Sequence, residues 1–547
     1  MTTTGGPDVV LPSYDDPVVV GAVESIGGPP GAHARIGDRR FWTPVRVLLA
    51  LTLLTSLLGL GEKAPCRDAS DWANEHQYTR ACYSDVLALY SAEGLSDGKR
   101  PYYDHPVEYP VVIGGVMALS ASLSRALTSV LPDGRQKEAA RNAAKAAPED
   151  ALALQQRKTY VDALARTRHF YDITWLLLTC CALVVAVTTM RLAGRRPWDA
   201  AMFALAPGLL LHATTNWDLV AVALAGLGMV AWARSHPLAA GVLLGLATAT
   251  KLYPVLFVVP LLFLCLRAGR LRAWTMTAAM TVLVAVGVTA PVYLTAPSFV
   301  DRDGQQVKVL DPPLSRLGTD GLSALMPHQR VGAERATNAV YRFFELNQTR
   351  GADWDSVYLQ LQHLRTSHGF AQGARNAIAD LFTDTGPPTR INRWVMCLVL
   401  LLLAGIGVLA LKAPRRPRLP QLLFLTLAGF LLVNKVDSPQ YVVWLIPLAV
   451  LARPRWRPFL AWQAAEVAVM VSRFYFFIGN DKPGEGIPIG WYFFCVLLRD
   501  ALLVLFAAFV VRDVLHPELD VVRRDGVDDP AGGVLDRAPD RRLAHQG

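Results

Sequence analysis

Several separated stretches set acids, amines, phenols and amides directly beside long apolar runs. They are ACYSDVLALY (81–90), GKRPYYDHPVEYP (98–110), TTNWD (214–218), ATKLYP (249–254) and NKVDSPQY (434–441). Asp85 opens an amphipathic stretch and is the sharpest candidate for a general base acting on an acceptor hydroxyl. The bland alternative is a helix cap, supplied by Ser84 or Asp85. Asp104 and Glu108 compete for the same task. With His105, Tyr109 and Asp218 they form a set that would grip an acceptor. Lys251 ends an apolar run just before Pro254. It is either a lysine reaching for the membrane surface or a point charge for a phosphate, with Tyr253 beside it. In NKVDSPQY the chain breaks at Pro439, and the N–H groups of the next helix start favour an anion. Lys435 would add charge there, and Ser438, Gln440 and Tyr441 add hydrogen bonds. Glu466 and Arg473 are seven apart, hence on one helix face, and Arg473 lies near enough to the outer end to touch phosphate. Arg499 and Asp500 read as an ion pair that locks helices. The ligand that suits these groups together is anionic and resident in the membrane, such as a lipid-linked sugar phosphate.

The elements that must carry these residues follow from composition. The chain has 547 residues, 52% hydrophobic and 18% charged, with mean hydropathy +0.29; a soluble chain has about 25% charged residues. Runs such as VLFVVPLLFLCL and VMCLVLLLLAGIGVLAL approach the roughly 20 residues that a spanning helix needs. Only helices and closed barrels satisfy their backbone in lipid, and the alternation of a barrel is absent. The chain reads as an all-α polytopic integral membrane protein. Its net charge of +9 sits mainly in short loops between apolar runs, which is the positive-inside pattern and argues against nucleic acid as a partner. Five of the seven cysteines lie in apolar runs. Cys66 and Cys82 flank one polar loop and could pair if it faces an oxidising compartment; spacing leaves paired and unpaired both open. No metal-ligand signature is present.

Arginines assign the sides. Arg35–Arg46, Arg191–Arg196, Arg234, Arg267–Arg272, Lys412–Arg418, Arg453–Arg457 and Arg512 are expected inside, and the polar turns outside. This pattern holds only if the apolar run 109–131 is re-entrant or interfacial. About twelve spans result, with both termini inside. The expected organisation is a disordered tail (1–44), an N-terminal membrane module (45–295) with a first extracytoplasmic loop (61–168), a helical extracytoplasmic insert (296–390), a C-terminal membrane module (391–513) and a second disordered tail (514–547).

SDVLALY, PYYDHPVEYP, NWDL, GLATATKLYP and SPQYVVWLIP, in this order, resemble glycosyltransferase family 87 of the GT-C superfamily, the polyprenyl-phosphate-mannose-dependent mannosyltransferases of actinobacteria. RFFELNQTRGADWDSVYLQLQ (342–362) is similar to one actinobacterial subgroup. The resemblance implies a GT-C fold, no metal and no cofactor beyond a lipid-linked sugar phosphate as co-substrate. It also implies a catalytic aspartate at Asp85 and donor-binding turns at Lys251, Ser438, Gln440 and Tyr441. The implied activity is inverting transfer, most commonly of mannose, to a glycolipid or polysaccharide acceptor at the outer face of the cell membrane. A transporter or flippase, and a non-catalytic envelope-assembly protein, are the alternative classes.

Overall fold

The computed structural model describes residues 42–68, 76–144, 150–365, 372–384, 386–482, 484–523, 528–536 and 538–541. The first expected tail lies almost wholly outside the described residues. The first apolar run forms α1 (Pro44–Asp68). A polar loop leads to α2 (Asp85–Ala92), then α3 (Val111–Val130), α4 (Gly134–Ala144) and α5 (Ala151–Leu192). Next come α6 (Pro207–His212), α7 (Asp218–Ala233), α8 (Pro237–Thr250), α9 (Val258–Ala268) and α10 (Leu271–Thr295).

Among the described residues, six helices are long and apolar enough to cross a membrane: α1, α3, α5, α10 and two in the C-terminal half. Several others are apolar but shorter. Helices α7 and α8 have 16 and 14 residues, so at 1.5 Å per residue they reach roughly 24 and 21 Å, less than the ~30 Å hydrocarbon core. Asp218 opens α7 and Lys251 follows directly on α8. Helix α5 goes the other way: its 42 residues extend roughly 63 Å. The bidentate Arg67–Asp172 pair (2.5 and 2.7 Å) marks where α1 ends along it. Helix α3 meets α5 beyond that point, through Ser124 on the Arg166 carbonyl (2.7 Å) and Thr128 on His169 (2.8 Å).

The insert departs from expectation. It is not all helix: it holds a four-stranded antiparallel sheet of order β2-β1-β4-β3, with β1 Ser298–Arg302, β2 Gln305–Leu310, β3 His328–Val331 and β4 Glu334–Asn338. The first hairpin turns on Asp303-Gly304, both at positive φ (52° and 80°). Asp-Gly suits such a two-residue turn because its right-handed twist matches that of the strands. Helix α11 (Pro313–Asp320) lies between the hairpins, and α12 (Arg342–Thr349), α13 (Val357–His363) and α14 (Gln372–Phe382) follow the sheet. The C-terminal module comprises α15 (Thr389–Lys412), α16 (Leu419–Val433), α17 (Val442–Ala452), α18 (Trp456–Asp481) and α19 (Ile489–Leu515).

A second correction concerns the C-terminal stretch. Where residues after 514 are described, they pack across the arginine-bearing ends of the helices. Buried Arg418 is paired with buried Asp520 (2.7 Å) and donates to the Leu451 and Ala452 carbonyls. Arg416 donates to the Leu535 carbonyl (2.6 Å), and Arg267 pairs with Asp540. Gly533 has φ +57°, and a Cβ there would lie 1.9 Å from the Trp232 carbonyl oxygen. The segment is too polar to look folded on its own; its carboxylates find partners only on the completed bundle.

Of the four apolar clusters among the described residues, two bear on the site. The larger joins α5, α7, α9, α16 and α17 within the bundle. The smaller lies at its outer end, where Val86, Tyr90, Ile113, Phe170, Trp217 and Phe299 meet.

Candidate active site

A cavity of about 420 Å³ opens between the first loop, the insert and the outer ends of the bundle. Cys66 and Cys82 are joined by a disulfide (Cα–Cα 5.6 Å) that ties the end of α1 to the chain just before α2. Ser84 caps α2: its Oγ accepts from the Val86 N–H (3.2 Å) and donates to the Thr214 carbonyl (2.7 Å). The Asp85 N–H donates to the Thr215 carbonyl (2.8 Å). Because Ser84 does the capping, the Asp85 carboxylate is left for the cavity. There it accepts from Asn216 Nδ2 (3.0 Å), which also donates to the Tyr109 hydroxyl (2.8 Å). Burial raises the Asp85 carboxyl above its ordinary range. Hydrogen bonds from Tyr83 and Asn216 and the Lys251 charge oppose that rise without cancelling it.

Lys251 follows α8 and turns inward. Its ammonium lies 2.9 Å from Asp218 Oδ1 and over the rings of Tyr109 (5.0 Å), Tyr441 (5.7 Å) and Trp444 (6.0 Å). A cation so placed gains attraction from ring faces that water would not supply. Tyr441 stacks on Trp444 (4.0 Å), and Tyr253 stacks on Trp444 as well (4.3 Å). The turns TTNWD, ATKLYP and SPQYVVW thus form one aromatic-walled corner.

The insert is pinned to the bundle by charges from NKVDSPQY. Lys435 Nζ donates to the carbonyls of Arg350 (2.6 Å) and Gln348 (3.4 Å), at the end of α12; a cation is favoured where a helix presents unpaired carbonyls. The Lys435 carbonyl accepts from the Asp353 N–H (2.8 Å), and Ser438 Oγ donates to Asp353 (3.2 Å). Asp355, fully buried, pairs with Arg473 (2.8 Å) and accepts from the Tyr492 hydroxyl. Arg499 binds the Asp355 carbonyl (3.1 Å), Asp437 (2.8 Å) and Asp500 (2.8 Å). The Arg499–Asp500 pair is therefore part of a wider lock.

Of the residues singled out in the sequence, Asp85, Glu108, Tyr109, Lys251, Ser438, Gln440, Tyr441 and Arg473 line the cavity. The others are elsewhere. Asp218 lies behind Lys251, and Tyr253 behind Trp444. Lys435 faces the α12 carbonyls, not the cavity. His105 pairs with Glu93 (3.3 Å), and Asp104 pairs at the surface with Arg100 (2.9 Å). The wall also contains residues the sequence reading passed over: Lys63, His212, Asn216, Arg350, Asp353 and Trp354. Lys63 is the clearest omission. Lys63 pairs with Glu62 (3.0 Å), and an acid and a base side by side at the end of an apolar run are themselves a signal, since ionisable groups there are costly. Among the described residues, no three His, Cys, Asp or Glu side chains gather as a metal site.

Comparison with known proteins adds one match. Residues 164–302 match the family model described as Glycosyltransferase family 87. No curated protein matches the chain. The matched segment carries Asn216, Asp218 and Lys251; Asp85 and the SPQY turn lie outside it. The match over residues 164–302 supports glycosyltransferase family 87, the family that the turn motifs resemble, and indicates a glycosyltransferase.

Proposed function

We propose that the chain moves a sugar, most commonly mannose in the family it resembles, from a polyprenyl-phosphate donor to a glycolipid or polysaccharide acceptor. Transfer occurs at the extracytoplasmic face of the cell membrane, with inversion. The observation that carries this reading is the state of Asp85: relieved of capping by Ser84, held by Asn216 and directed into a cavity that Lys251 and Arg473 also line. Asp85 takes the acceptor hydroxyl proton as the oxygen attacks the anomeric carbon, from the face opposite the leaving group. The raised basicity of a buried carboxylate suits it to that step. The departing phosphate keeps its own charge, so it needs cations and N–H donors more than a proton. Lys251, Arg473 and the helix start after Ser438 fit that need.

Two further features support the reading. The helices α7 and α8 are shorter than a full span, which suits a recessed site that a phosphate could reach while its chain stays in lipid. The contacts of α3 with α5 beyond the Arg67–Asp172 level favour an interfacial α3, which keeps the first loop and the insert on one side. A transporter would need a path past the buried core of α16 and α17 and past the packed C-terminal stretch; nothing in the cavity points that way.

The test is transfer itself. Purified chain in lipid nanodiscs is given radiolabelled polyprenyl-phosphate mannose and a membrane glycolipid fraction. The proposal expects label in glycolipid, with the anomeric configuration opposite to the donor's. Absence of transfer with every donor and acceptor tried, or retained configuration, contradicts it.

A further inference from the structure

A second cleft, of about 300 Å³, lies next to the cavity on the insert. One two-turn helix separates them. Arg342 and Glu345 of α12 face the cleft, while Phe343, Leu346 and Asn347 of the same helix, with Arg350 just beyond it, face the cavity. Those positions follow from a turn of about 100° per residue, which places 342 and 345 on one side of a helix and 343 and 347 on another. The first loop divides in the same way: Pro106 lines the cleft, and Glu108 and Tyr109 line the cavity. On the cavity side Arg350 and Glu108 form a polar pair at 3.5 Å, with side chains 49% and 45% exposed.

The chemistry of the cleft selects its ligand. Asp301, Glu334 and Glu345 face Arg335 and Arg342, so neither an anion nor a cation is strongly favoured. Phe299 and Val300 are buried, and apart from them and Pro106 every side chain of the lining is polar or charged. The rim carries donors and acceptors side by side. Gln306 donates to Asp301 (2.8 Å), Arg342 pairs with Glu345 (3.1 Å), and Thr337 donates to Glu345 (3.1 Å). A neutral ligand dense in hydroxyls, able to donate and accept at each position, matches such a rim.

We propose that this cleft is a second acceptor subsite, which holds the distal sugars of an extended glycan whose reacting residue sits in the cavity. The assignment rests on the glycosyltransferase reading of the cavity. It makes α12 a sill that a glycan crosses and gives the chain a preference for long acceptors over short ones.

The test uses the full chain in nanodiscs, with α-mannotriose and methyl α-mannoside as acceptors and as binding probes. Loss of hydrogen bonds to charged groups predicts that Arg342→Gln or Gln306→Ala lowers the trisaccharide-to-monosaccharide ratio of kcat/KM about tenfold. Saturation-transfer NMR on the same proteins reads trisaccharide binding without turnover, and it expects weaker contact in both variants. Gln306→Ala, a small change on a strand, guards against misfolding as the cause. Transfer with an unchanged ratio, together with unchanged trisaccharide binding, overturns the subsite and leaves the glycosyltransferase reading intact. Trisaccharide binding that the variants weaken, with no transfer by the wild type, keeps the subsite and removes the proposed donor.

Discussion

Lys251 and Lys435 occupy matching places: each ends an apolar helix a few residues before a proline that starts the next one. Their outcomes are opposite. Lys251 turns into the cavity, neutralised by Asp218 and walled by Tyr109, Tyr441 and Trp444. Lys435 turns outward and ties the insert down by its carbonyls. The difference lies in distant partners. Lys251 meets a carboxylate at the head of α7, and Lys435 meets the exposed end of a helix 85 residues away in sequence. One lysine lines the cavity and the other holds the insert, although a local reading gives both the same role.

The contrast is open to attack at each end, the strongest effect coming first. Replacing Lys251 by Met strips the cavity of a charge and leaves Asp218 buried and unpaired. Transfer is expected to fall by about 10²–10³-fold, with a stability loss of about 3–5 kcal/mol. Lys251→Met with Asp218→Asn is expected to recover the stability and not the rate, read by unfolding midpoints beside transfer assays. Recovery of rate in the double variant would mean that Lys251 serves only to neutralise Asp218.

Asp355→Asn attacks the lock. It leaves Arg473 without its buried carboxylate, at a cost of about 3 kcal/mol. The insert is expected to be cut faster by limited proteolysis, and KM for donor to rise more than kcat falls. An unchanged cleavage rate would disconnect the lock from the insert.

Lys435→Met is expected to be milder. It removes hydrogen bonds to two carbonyls, worth about 1–2 kcal/mol in all, and it lowers transfer less than Lys251→Met does. A larger loss of rate than that of Lys251→Met would reverse the assignment of the two turns.

The smallest effect is a pH dependence. Burial holds the Lys435 ammonium down at about 8, from its ordinary 10.5. Between these values the unfolded chain still binds a proton that the native chain has released, so native stability rises with pH from about 8 upward. Lys435→Met is expected to lack that rise when unfolding midpoints are compared across pH 7.5–9.5. Parallel curves would place Lys435 in water.

Much of this was legible beforehand. The turns TTNWD, ATKLYP and SPQY announced themselves by setting ionisable groups beside apolar runs, and they do meet. Asp85 stood out for the same reason, and only the structure shows Ser84 taking over the capping. Lys63, beside Glu62, and His212 were hidden because polar residues that close an apolar run read as a span end. The sheet was signalled by Asp303-Gly304 between two short apolar-polar runs, a signal masked by the helical character of 342–364. The packed C-terminal stretch was not readable, since its polar residues fold only against arginines brought together by the bundle.

The most direct test compares wild-type chain and Asp85→Asn under single-turnover conditions, with donor binding measured on the same preparations. The account predicts that the variant binds donor as the wild type does and transfers about 10²–10⁴-fold more slowly. Transfer at wild-type rate by a folded Asp85→Asn protein would contradict it and shift attention to Glu108 or Asp353 in the same wall.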